Sequence, residues 1–156
     1  MAITAAYAAG DERSFENAVI EFDEDPTGTP DWNAMQSFVG DLTVSGGDTP
    51  TSTYKTVTNN VIFVGEKNEI TIEGEGLYTE ETDGAFYNMW QAYEANGGVA
   101  REIRWSDSGS TGDLRFYTTG GKLTYVGLPT PTPNNPGVKT FPFRIVASLI
   151  SDEAIA

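Results

Sequence analysis

Acidic side chains dominate the chemistry available to this chain, 23 of them among 156 residues, and one dense group is FDEDPTGTPD, residues 22–31. Asp23, Asp25 and Gly28 repeat the opening spacing of an EF-hand calcium loop, in which alternating carboxylates and a sharp glycine turn wrap one cation. That pattern needs a bidentate carboxylate at its twelfth position, which is Ala34 here. No helices flank the loop either, so a solvated turn held by Asp and Pro is the simpler reading. Paired carboxylates also serve glycoside hydrolysis, where two Asp/Glu stand at a set separation. Among so many acids some pair meets that condition by chance. Trp32, Trp90, Trp105, Tyr7, Tyr54, Tyr78, Tyr87 and Tyr125 suit a sugar-stacking platform, although such residues more often fill a core.

What is missing restricts the chemistry further. There is no histidine and no cysteine. That removes the usual general base, the commonest metal ligand, any Ser-His-Asp triad, disulfides and thiolate zinc sites. GxGxxG does not occur, and VGEKNE lacks the spacing of a phosphate loop. The expectation is a protein that is not an enzyme and uses no metal or cofactor.

The net charge of −14 is unevenly placed. Residues 1–83 hold 17 Asp/Glu against Arg13, Lys55 and Lys67, whereas residues 84–156 hold six of each sign. A solvated acidic surface that aids solubility fits this, and so does one acidic face that repels phosphate. Neither grips nucleic acid by charge. Arg101, Arg104, Arg115, Lys122, Lys139 and Arg144 alternate with aromatics. They either pair with carboxylates across strands or meet the acidic half of a neighbouring copy. The opening MAITAAYAAGDERSFENA lacks the basic start of a signal peptide. No apolar run reaches the length of a membrane span, and folding in a cytoplasm is expected.

The elements that position these residues read as mainly β. Short apolar runs alternate with Gly, Pro, Asn and Asp clusters. AVIEFD (18–23), FVGDLTV (38–44), TYKTVT (53–58), NVIFVGE (60–66), EITIEGEG (69–76), VAREIRWS (99–106), DLRFYTT (113–119), KLTYVG (122–127) and VKTFPFRIVASLI (138–150) are strand-like. Gly120-Gly121 between two of them predicts a tight hairpin. TDGAFYNMWQAYEANGG (82–98) instead places Phe86, Met89, Trp90 and Tyr93 at helical spacing. It predicts one helix over about 82–96, capped by Thr82 or Asp83 and ended by Gly97-Gly98, with its aromatic stripe in the core. The fold class is a β-sandwich or barrel of about eight strands with one flanking helix, in a single domain. The polar stretch VSGGDTPTST (44–53) is expected at the tip of a hairpin, about residues 41–58, that leaves the body. Residues 1–15 and 151–156 are candidate arms.

Helix 82–96, VAREIRWS, the polar loop after it, RFYTTGGKLTYVGLPTP and PGVKTFPFRIVAS together resemble the C-terminal part of a major tail tube protein of long-tailed, siphovirus-type bacteriophages. The resemblance covers roughly residues 80–150 and rests on the order and character of elements. It implies a β-sandwich flanked by a short helix that assembles into stacked, usually hexameric rings. Such rings form a tube around a tape measure protein and later DNA, and join tail terminator and tail-tip proteins. It implies a place in the virion tail, assembly in the host cytoplasm, a hairpin near 41–58 that contacts the adjacent ring, and no catalytic residue.

Within that resemblance, carboxylates lining the tube would let DNA slide without binding. Glu16, Glu21, Asp23, Glu69, Glu73 and Glu75 alternate with apolar residues and are the expected lumen-facing set. Ser45, Gly46, Gly47, Asp48, Thr49 and Pro50, with Pro129, Pro131, Pro133, Pro136 and Pro142, are the expected subunit and ring contacts. A proline-rich loop keeps its extended shape before docking, and Pro142, lacking a donor, marks an edge or bulge. The alternative is a plain surface loop before an ordinary core strand. For the whole chain, a tail terminator or related single-ring virion protein stays open, as does a carbohydrate-binding β-sandwich module.

Overall fold

Strand alternation and three sharp bends build this molecule. The computed structural model describes residues 15, 17–23, 25, 28–35, 39–82 and 84–156. Among them lie twelve strands and one helix: β1 (Val19–Asp23), β2 (Trp32–Ala34), β3 (Val39–Gly46), β4 (Thr51–Lys55), β5 (Asn60–Val64), β6 (Ile70–Leu77), α1 (Ala85–Ala95), β7 (Val99–Ala100), β8 (Glu102–Ser106), β9 (Leu114–Thr119), β10 (Lys122–Val126), β11 (Thr140–Ala147) and β12 (Leu149–Ala154). One sheet runs β12-β9-β8-β1-β2, a second runs β3-β6-β11-β10-β7, and β4-β5 form a separate two-stranded ribbon.

The count exceeds the expected eight because the runs 99–106 and 138–150 each divide into two strands and because β2 was not expected; in all, three long runs bend from one sheet into the other. β7 passes into β8 at Arg101, β9 into β10 at Gly120-Gly121, and β11 into β12 at Ser148. The bends lie side by side: Arg101 N–H donates to the Gly121 carbonyl at 3.0 Å and Ser148 N–H to that of Thr119 at 3.1 Å. The Gly121 amide donates to Glu102 Oε1 at 2.9 Å. Such corners are how strands switch layers in orthogonal packings. The hairpin expected at Gly120-Gly121 is therefore absent. β9 pairs with β8 and β12, and β10 with β11 and β7. The φ of 68° at Gly120 makes a corner here rather than a reversal.

Between the layers, Ile20, Phe22 and Ile103 of the first sheet meet Ile72, Leu123, Phe141, Phe143 and Ile145 of the second, all buried. Each contributes about 1.5–3 kcal/mol by leaving water. The EGEG run explains itself in register: Gly74 faces Phe143 and Gly76 faces Phe141 across β6–β11. A methyl at either glycine would collide with the opposing ring.

Helix α1 closes one flank. Met89 is fully buried, and Phe86 meets Tyr78 and Phe141 edge-on at 4.9 and 5.1 Å and stacks on Trp90 at 6.2 Å. Tyr93 packs beside Trp90 and against the core. The expected stripe is thus the helix's inner face. Its start differs from expectation: the N-cap is Gly84, with no side-chain cap. Asp83 lies outside the described residues.

Other expectations are corrected. Ser151–Ala154 are no free arm but part of β12, paired along β9. Pro142 lies in β11, the central strand of its sheet, and not at an edge. Its carbonyl accepts from Gly127 at 2.8 Å, one residue past the end of β10. The missing proline donor thus faces a place where that ladder has stopped. The acidic and balanced halves of the sequence do not form two regions, because both sheets mix strands from each.

Candidate functional site

No group of three or more acidic side chains poised for a metal occurs among the described residues. The features that stand out are surfaces. The first is the β4–β5 ribbon. The β3–β6 pair continues outward through Gly46 and Gly47, both at positive φ (80° and 73°), where a side chain is strained. Gly47 N–H donates to Glu69 O, Asn68 N–H to Asp48 O, and Gly65 N–H to Pro50 O, at 3.1, 2.9 and 2.8 Å. The turn at 56–59 is closed by Thr56 Oγ1, which donates to the Asn59 carbonyl and accepts from its amide. Every residue of β4 and β5 is exposed. Tyr54, Val57, Val61, Ile62, Phe63 and Val64 stand in solvent, six of the fourteen exposed large apolar side chains among the described residues.

This overturns the expected place of the tip. Ser45 and Gly46 are the last two residues of β3, Asp48, Thr49 and Pro50 form the root, and the tip is 56–59. The alternation that marks a half-buried strand is lacking in Val61–Val64. That consecutive apolar run was the available signal, but it reads equally as a strand buried on both faces.

The second surface is the outer face of the β3-β6-β11-β10 sheet. Asp41, Thr43, Glu73, Glu75, Thr140, Pro142, Arg144, Lys122 and Tyr125 are exposed there. Asp41 sits opposite Glu75 in register, a like-charge neighbour that costs stability. Arg144 Nε donates to Glu73 Oε1 at 2.9 Å, and its guanidinium stands 5.7 Å from the Tyr125 ring. Thr140 Oγ1 donates to Glu75. A shallow groove of about 400 Å³ runs between Asp41, Glu73, Glu75, Tyr125 and Arg144. Asp41, absent from the expected set, belongs to this face.

The expected lumen set therefore divides. Glu73 and Glu75 share this face, and exposed Glu69 precedes the same strand. Glu21 belongs to the other sheet, where it pairs with Arg104 at 2.5 Å while that guanidinium lies 4.2 Å over Trp32. Asp23 is buried within its own chain; its Oδ1 accepts the amides of Asp25 and Asp31 at 3.0 and 2.9 Å. Its carboxylate holds the backbone at Asp25 and at Asp31, the first at the i and i+2 spacing that an Asp side chain can bridge. Glu16 lies outside the described residues. Pro131, Pro133 and Pro136 are exposed and Pro129 is half-buried.

The tryptophans form no joint platform. Trp90 and Trp105 pack against the core and Trp32 is covered by Arg104.

No family model matches the sequence, and no curated protein does. Solved structures do. A chain of the PVC sheath–tube complex, an extracellular contractile injection system in its extended state, aligns with a TM-score of 0.67 at 12% identity, over 94% of this chain and 95% of that one. The chain shares its fold with components of tail-like particles. A chain of the anti-feeding prophage tube-terminating cap aligns at 0.65 and 16% identity over 99% of each. A chain of the gene transfer agent tail, solved by helical refinement with C6 symmetry, aligns at 0.60 and 12% over 93% of this chain and all of that one.

Proposed function

We propose that this protein is the repeating subunit of a phage-tail-like tube. Six copies form each ring, and rings stack into a conduit. The observation that carries the reading is the β4–β5 ribbon. A two-stranded ribbon is marginal alone in water, and an apolar one held off the body needs a partner to cover it. A contact from a ribbon on one copy to a different surface on the next is head-to-tail, which closes rings or runs on as a filament. The end-to-end likeness to chains of tail-like particles supports the same reading, and the C6 symmetry of one of them supports six copies per ring.

In this reading the outer face of the β3-β6-β11-β10 sheet lines the channel. Its Asp41, Glu73 and Glu75 repel phosphate, so that DNA passes without specific binding. Glu21, on the other sheet, lies away from the channel. A tape measure protein would occupy the lumen during assembly, terminator and tail-tip proteins would close its ends, and the tube would assemble in the host cytoplasm and reside in the virion tail. The chain performs no reaction.

Negative-stain electron microscopy across a concentration series tests this. The expected result is long tubes with a central channel. Isolated rings that never extend would assign the chain to a terminator, a second reading favoured by the likeness to a tube-terminating cap. Monomers that bind glycans would replace both with a carbohydrate-binding module. An assembled structure with Glu73 and Glu75 on the outer wall would defeat the channel assignment.

A further inference from the structure

The register of the ribbon fixes what each of its faces carries. Thr51 pairs with Val64, Thr53 with Ile62 and Lys55 with Asn60, so these six share one face; Ser52, Tyr54, Val61 and Phe63 share the other. Ile62 and Val64 are 65% and 68% exposed, and Tyr54 and Phe63 are 66% and 57% exposed. Large apolar groups thus cover both sides. A ribbon laid on one surface would keep a polar outer face, as half-buried strands do.

We infer that the ribbon docks between two other copies of this chain, gripped on both faces, and not on one. The inference rests on the tube reading. Charge argues that the occupants are further copies. Residues 51–64 hold one lysine and no acid, so the remainder of the chain carries −15 of the net −14. Two acidic bodies repel on approach, whereas a ribbon bearing Lys55 meets an acidic body favourably. The same chain offers a groove of about 340 Å³ whose lining includes Phe15, Ile20, Leu42, Val44 and Trp105 beside the carboxylate-bearing Asp41, so it presents apolar side chains and one acid to a ribbon that carries Lys55. The other side of the ribbon then needs the flank of a second recipient.

A site made by two recipients has a consequence for assembly. A ribbon finds its full site only where two copies already stand side by side. Ring completion precedes ring addition, and growth is cooperative.

The test uses the full chain with a photo-crosslinking residue at Ile62, at Phe63, or at both, diluted into a large excess of unlabelled protein and irradiated after assembly. Each single label is expected to give dimers and the double label to give trimers. A double label that stops at dimers overturns the two-recipient site while leaving the tube reading intact. Wild-type protein that remains monomeric at every concentration overturns the tube reading, and this inference with it. Two variants give a second readout, since threonine keeps strand propensity. Ile62→Thr/Val64→Thr and Tyr54→Thr/Phe63→Thr should each raise the critical concentration for polymer by about tenfold or more, as expected for the loss of apolar burial at an interface. Normal assembly by either one overturns the inference, with an unchanged thermal midpoint as the folding control.

Discussion

The β4–β5 ribbon and β11 are built from the same strand chemistry and use it in opposite ways. In β11, Phe141, Phe143 and Ile145 turn inward while Thr140, Pro142 and Arg144 face water. In β5 the run Val61–Val64 has no polar alternation, and all of it is exposed. A run apolar on both faces is the pattern of a strand buried on both sides. Here it occupies a two-stranded ribbon whose length the body does not cover. The comparison teaches that this chain has a core of its own and, in the proposed tube, a second core completed by other copies. It is also a managed hazard. An exposed apolar ribbon invites wrong partners, and the −14 charge of the chain opposes non-specific association between copies.

The largest test of that contrast compares two phenylalanines. Phe143 is 1% exposed at the centre of the body, and Phe63 is 57% exposed on the ribbon. Phe143→Ala should cost about 3–5 kcal/mol, a large fraction of the total stability of a domain. Phe63→Ala should change monomer stability by about 0.5 kcal/mol or less while suppressing assembly. Urea denaturation of dilute monomer reads the first effect and sedimentation reads the second. Equal destabilisation by the two would mean that the ribbon packs on its own body, and the contrast would collapse.

Gly74 and Gly47 sharpen the comparison at its join. Gly74 exists to make room for Phe143, so Gly74→Val should cost about 1–3 kcal/mol of global stability through overpacking. Gly47, at φ 73°, turns the chain into the ribbon, and a methyl there would press on Ile70 Cγ1 at 2.9 Å. Gly47→Ala should cost about 1–2 kcal/mol, felt locally. Amide exchange should quicken across residues 51–64 and stay unchanged in β11. Acceleration spread evenly through the body would show that the root is part of the global fold.

The body was legible in the sequence wherever alternation was strict. β11 and β6 declared their inner faces, and α1 declared its aromatic stripe, because period 2 and period 3.6 separate cleanly over such lengths. The corners were not legible. Gly120-Gly121 has the composition of a hairpin, and only pairing far along the chain, with residues near Arg101 and Ser148, shows it to be a bend. Pro142 misled for the same reason. A proline is excluded from a ladder only on its donor side, and what stands on that side is a fact of the fold. The acidic set was half legible: alternation put Glu73 and Glu75 outward, but could not say that Glu21 lies on the opposite sheet or that the amides of Asp25 and Asp31 converge on the Asp23 carboxylate. The ribbon's existence was visible near residues 41–58, yet its tip was misplaced, since a polar, glycine-rich root resembles a tip.

The smallest expected effect concerns two ion pairs on opposite sheets. Glu21–Arg104 is short, with side chains 22% and 17% exposed, and the guanidinium also covers Trp32 at 4.2 Å. Glu73–Arg144 is about half exposed on both sides. Arg104→Gln should therefore cost about 1 kcal/mol, combining a part-shielded pair with a cation–π contact. Arg144→Gln should cost about 0.3 kcal/mol or less in the monomer, because water and salt screen an exposed pair. In the assembly the order should reverse. Arg144 stands among Asp41, Glu73 and Glu75, so its loss removes a positive charge from a face that each ring of the proposed tube would repeat. Arg144→Gln should make polymer formation more dependent on added salt, whereas Arg104→Gln should leave that dependence unchanged. Light scattering at low and high ionic strength would show the difference. If both variants shift the salt dependence equally, the two sheets do not face different surroundings in the tube, and the channel cannot be assigned to the β3-β6-β11-β10 face.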